Sequence, residues 1–125
     1  MQNRRLNIGP VALTTTLTTN ILNVGTGAMA TPPVGYTDMN RYIILRHITV
    51  TNKTAGAVTV SLWKGATGGN AAGTEFQWNA FSVAANSYAE RYGEWRFDSA
   101  DFLVGGSNTT TALTFEAEGE IGCAG

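Results

Sequence analysis

Along this chain the dominant spacing of apolar and polar positions is two, not 3.6, and that period predicts strands. Arg41 to Thr51 interleaves Tyr42, Ile44, Arg46, Ile48 and Val50 with Ile43, Leu45, His47, Thr49 and Thr51. Both sets are largely apolar or β-branched, so the pattern predicts a central strand covered on both faces. Asn52 to Gly56 supplies turn residues, and Ala57 to Lys64 then sets Val58, Val60 and Leu62 against Thr59, Ser61 and Trp63. Two alternating runs joined by a short polar loop containing Gly predict a β-hairpin.

Elsewhere the signals are softer. Val11 to Val24 places Leu13, Leu17 and Ile21 in phase among threonines, with a break expected near Asn20. Gly25 to Gly35, with Pro32-Pro33, and Gly65 to Gly73 read as loops. Asp101 to Val104 and Thr109 to Ile121 read as two strands across Gly105 to Asn108. In the second, Leu113 and Phe115 share a face with Thr111, while Glu116, Glu118 and Glu120 form a wet, acidic one. Between Thr74 and Tyr92 two patterns compete. Phe81, Ala84, Ala85, Tyr88 and Tyr92 fit a helical stripe, whereas Phe76, Trp78 and Ala80 alternate and Val83 to Ser87 reads as a bend. Strand–turn–strand is the preferred reading. Seven or eight short strands predict an all-β antiparallel β-sandwich or jelly roll over residues 11–125, preceded by a polar, uncommitted arm at 1–10.

Composition narrows the chemistry. The 125 residues make one domain, and 8 Lys+Arg against 9 Asp+Glu give a net charge of −1. Such balance lacks the electrostatic footprint of a nucleic-acid binder or a polybasic membrane protein, and no stretch has the length of a membrane span. The amino terminus has no signal-peptide pattern, so a protein made and kept in the cytoplasm is expected. A single cysteine, Cys123, and a single histidine, His47, exclude a disulfide framework and a Cys/His zinc site. His47 sits in mid-strand and reads as a sheet histidine satisfied by a neighbour. Glu90, Glu94, Asp98 and Asp101 are interspersed with Arg91 and Arg96 and read as ion pairs rather than a catalytic carboxylate pair. Asn52-Lys53-Thr54 and Asn108-Thr109-Thr110 read as turn chemistry. No phosphate-cradling or dinucleotide motif is present, and no enzyme activity or cofactor is expected.

What remains is surface character. Tyr88, Arg91, Tyr92, Trp95 and Arg96 crowd one short segment with Phe97, and Tyr, Trp and Arg supply most binding energy where they become buried between partners. With Arg4 and Arg5 of the amino-terminal arm they form the candidate partner interface. Only Lys53 and Lys64 are lysines, so few charges of the usual kind guard the sheet edges.

The runs RHITVTNKTAGAVTVSLWKG and FSVAANSYAERYGEWRFDSADFLVGGSNTTTALTFEAEGEI resemble small β-sandwich virion proteins of tailed bacteriophages. The matching positions are Thr51-Asn52 with Val58-Thr59-Val60, Val83 with Asn86-Ser87, Asp101, and Asn108 to Thr111. The segment 88–97 departs from that pattern. The resemblance implies a capsid decoration or cement protein, made in the host cytoplasm, that binds the major capsid protein or other virion proteins as a dimer or trimer. A minor neck or tail protein is the alternative within the virion. Outside that class, a carbohydrate-binding host-attachment module would use Trp63, Trp78 or Trp95 as stacking platforms. Arg91→Ala or Trp95→Ala is expected to weaken particle association and spare the fold.

Overall fold

A computed structural model describes residues 4–23, 41–65, 69–98 and 101–123. Eight strands form two four-stranded antiparallel sheets, and no helix occurs among the described residues. The strands are β1 (Arg4–Ala12), β2 (Thr19–Asn23), β3 (Arg41–Asn52), β4 (Val58–Gly65), β5 (Phe81–Val83), β6 (Ser87–Phe97), β7 (Phe102–Ser107) and β8 (Leu113–Cys123). The first sheet runs β1-β8-β3-β6 and the second β2-β7-β4-β5. The pairs β1–β8, β2–β7, β3–β6 and β4–β5 make one long double ribbon wrapped on itself, the winding of a jelly roll. The main core lies between the sheets. Ile43, Leu45, Ile48, Val50, Phe97, Phe115 and Ile121 come from the first sheet, and Val58, Val60, Leu62 and Leu103 from the second.

This winding corrects the predicted hairpin. β3 and β4 belong to different sheets, and residues 53–57 carry the chain from one to the other. The two flanks of β3 are taken by β8 and β6, so its Ile48 and Val50 meet the second sheet face to face rather than edge to edge. Fully buried Asn52 holds the corner: its Nδ2 donates to the Gly56, Val83 and Ala84 carbonyls at 2.9, 3.0 and 3.3 Å. Its Oδ1 accepts from the Thr54 amide at 2.9 Å. The Asn52 site thus carries the expected turn bond, whereas Asn108 Oδ1 accepts from the distant Thr59 amide at 3.1 Å and ties its turn to β4.

The stretch 1–10 is not an uncommitted arm where it is described, since Arg4 to Ala12 pair with β8 from Ile121 to Thr114. Leu6, Ile8 and Val11 pack against the core, which gives this polar-looking sequence its reason to form a strand. The break predicted near Asn20 falls earlier, over residues 13–18, and Leu17 is exposed. The bend predicted over Val83 to Ser87 holds, with Asn86 in the left-handed region (φ 52°), but the strand before it is Phe81–Val83 and not the alternating run 76–80, where Gln77 and Ala80 also have positive φ. Thr111 (φ 60°) belongs to the turn before β8 and not to its buried face. The loop reading of Gly25 to Gly35 lies outside the described residues.

The central strand also departs from its prediction. β3 buries Ile43 and Leu45, then Ile48 and Val50, so its inward set changes parity at Arg46-His47. That switch explains why both alternating sets looked apolar. Only one face is covered. Between the same two inward rows β8 inserts Glu118 alone, β3 inserts Arg46 and His47, and β6 inserts Tyr92, Gly93 and Glu94. The sheet therefore fans open from β8 to β6. At the tight end a side chain on Gly119 would run into the Ile44 carbonyl.

The second sheet is closed on both faces along its two central strands, β7 and β4, whereas Phe81 and Ser82 of edge strand β5 are exposed. Residues 13–18 cross its outer side, where a Cβ on Gly106 would lie 2.6 Å from the Thr14 carbonyl oxygen. The run 74–78 hydrogen-bonds along β4 at Leu62 and Lys64 and inserts Phe76 and Trp78 into the core.

Candidate functional site

Among the described residues the outer face of the first sheet is left uncovered, and the fan assembles most of that face's charged groups. The cross-strand register orders them in rows. Arg5, Glu120, Ile44 and Arg96 form one, Asn7, Glu118, His47 and Tyr92 the next, and Thr114, Thr51 and Tyr88 another. The two bulged residues of β3 reach across the rows. Arg46 bonds Glu94 on one side and lies 3.3 Å from Glu120 on the other. The hydrogen bond to Glu94, then the charge of Glu120, raise the Arg46 guanidinium above its already high ordinary value. His47 Nε2 is 2.9 Å from Glu90, its Nδ1 is 3.7 Å from Glu118, and its ring stacks on Tyr92 at 4.2 Å with 3° between the planes.

This arrangement bears on the chemistry His47 can perform. An ionised carboxylate only accepts, so the nitrogen facing Glu90 must donate. That same Nε2 is the atom 3.3 Å from the Thr49 hydroxyl. The nitrogen nearest the Thr49 hydroxyl is thus the one bonded to Glu90, while Glu118, on the side of Nδ1, stands beyond hydrogen-bond distance at 3.7 Å. The geometry suits a hydrogen-bonded, stacked histidine that fixes its neighbours. Beside it, Asn7, Gly9, His47, Thr49, Glu116 and Glu118 line a polar depression of about 400 Å³. Among the described residues no group of three His, Cys, Asp or Glu side chains is placed to hold a metal ion.

The structure divides the predicted interface residues. Tyr88 and Tyr92 project from the outer face of β6, 60% and 71% exposed. Arg96 shares that face, its guanidinium 4.2 Å over the Tyr42 ring and its Nε donating to Asp98 at 2.8 Å. Arg91 and Trp95 lie on the opposite face of β6. Arg91 is exposed, but Trp95 is half-buried and meets Phe76 edge-on at 5.7 Å. Trp95 thus belongs to the rim of the core, and Trp95→Ala would perturb the fold as well as any contact. Arg5 stands exposed on β1, three strand spacings or about 14 Å from β6. Arg4 opens β1 opposite Ile121.

Sequence reasoning missed that Arg46 meets Glu94 and Glu120, and His47 meets Glu90 and Glu118, across three strands. The signal was the parity change inside β3, where two successive polar residues, Arg46 and His47, interrupt an alternating run. No protein-family model, curated protein or solved structure matches the chain.

Proposed function

We propose that this chain is a non-catalytic structural protein of a tailed-phage virion, a decoration or cement protein that binds across neighbouring major capsid protein subunits. One observation carries the reading: two large aromatic side chains, Tyr88 and Tyr92, stand in water on a rigid sheet face among charged groups that are already paired. Tyrosine on a pre-ordered strand supplies contact area at little entropic cost, which suits burial against a protein surface. The resemblance of residues 41–121 to small virion proteins supports the same reading, and jelly rolls are a usual scaffold of viral shells, though also of lectins and cupins. A modest interface repeated over many identical sites, and made to two subunits at once, gains by effective concentration. The carbohydrate-binding alternative is weakened, because Trp63 and Trp78 are buried and Trp95 is half-buried.

Quantitative mass spectrometry of purified virions tests the proposal. A copy number comparable to that of the major shell protein is expected. A few copies per particle would move the protein to the neck or tail, and absence from the particle would overturn the reading.

A further inference from the structure

β6 is the longest edge strand of the described fold, and its ladder to β3 shifts register once, between Trp95 and Tyr92. Among the described residues no strand pairs with β6 on the side away from β3, along eleven residues. The other edges are shorter, or carry a proline that has no amide to give. β5 has three residues and β2 five, while β1 breaks register between Ile8 and Val11 and carries Pro10. Through the fan β6 keeps its alternation, with Tyr88, Glu90, Tyr92, Glu94 and Arg96 on one face. An edge strand with no neighbour on one side is a template for another strand.

We propose that the strand it takes is β6 of a second copy of this chain, paired antiparallel about a two-fold axis at Gly93. Residues opposite one another must project from the same face, so the axis passes through a residue rather than between two. Each choice then sets a different group of charges in opposition. An axis at Glu90 or Glu94 makes two glutamates meet, and one at Arg91 makes two arginines meet. At Tyr92, Glu90 faces Glu94 of the second copy twice. Axes at Ala89 or Trp95 pair less than half of the strand. At Gly93 no like charges oppose: Glu90 faces Arg96 of the second copy, Arg91 faces Trp95, and each pair occurs twice. Charge complementarity therefore selects both the occupant and the register. Ala89 to Phe97 of each copy would pair, with the residue that has no side chain at the axis. Lys64 Nζ donates to the Arg96 carbonyl, so the ladder bonds come from residues nearer the axis.

Sedimentation equilibrium of the full chain under reducing conditions tests this. A reversible monomer–dimer equilibrium is expected. Glu90→Arg should raise the half-dimerisation concentration about tenfold, and Arg96→Glu alone should do the same. The charge-swapped double variant E90R/R96E should restore dimerisation, which a general loss of fold would not allow. Hydrogen exchange should show concentration-dependent protection confined to β6 amides. A chain that stays monomeric at every concentration, single variants that dimerise unchanged, a double variant without recovery, or protection outside β6 would each overturn the proposal. Self-association is measured on the purified chain, so its failure is distinct from absence of the protein from virions.

Discussion

The two sheets solve the same problem differently. Along its two central strands the second sheet is buried on both sides: β4 keeps Ser61 and Trp63 as well as Val60 and Leu62 out of water, and every residue of β7 after Phe102 is buried. The first sheet buries one side only, and its outer side is tiled with arginine, glutamate, histidine and tyrosine. The difference shows where sequence is free. A sheet clamped between layers must match loop to strand atom by atom, whereas an open face needs only groups that tolerate water.

Substitutions can break or sharpen that contrast. The largest loss is expected from Trp78→Ala, which empties a site 2% exposed beside β4 and should cost about 3–5 kcal/mol in denaturant unfolding. Asn52→Ala comes next. It deprives three carbonyls at the crossing between sheets of their donor and should cost about 2–3 kcal/mol, measured the same way. Trp95→Ala, at the rim where the two regimes meet, should cost about 1–2 kcal/mol by chemical denaturation, between the clamped and open cases. Tyr92→Ala on the open face should shift stability by no more than about 0.5 kcal/mol. A loss there as large as at Trp78 would show that the outer face is not energetically separate. Smallest of all, Arg46→Ala should leave the thermal midpoint unchanged in high salt, where screening has already removed what an exposed ion pair supplies.

Much of this architecture was legible. Val58, Val60 and Leu62 against Ser61 and Trp63, and Leu113 and Phe115 against three glutamates, give strands and faces directly, because a pleated chain alternates. What alternation does not encode is the neighbour. The run from Ile48 to Val60 looks the same whether its two strands lie side by side or face to face, and only competition from β6 and β8 for the flanks of β3 decides. β1 was hidden for a related reason: Leu6, Ile8 and Val11 are widely spaced among polar residues, and their partner in β8 lies more than a hundred residues away. The candidate interface was half legible. Residue type singled out Tyr88, Tyr92 and Arg96, but the alternation of β6 sends Arg91 and Trp95 to the other side. The contacts of Arg46 and His47 had no local signature, since their members come from β3, β6 and β8 and meet only where the sheet fans.

The place of β8 between β1 and β3 also sets an order of events. It is the last of the eight strands to leave the ribosome, yet it is a central strand of the first sheet, bonded along both flanks. Until it arrives, β1 has no partner and β3 has one bare flank, while β4 and β5 can already pair. Closing the ribbon from β4–β5 outwards requires ever longer loops, each more costly in chain entropy than the last. Folding should therefore be slow and wait for β8, and a nascent chain held short of β8 should expose the edges that the finished protein covers.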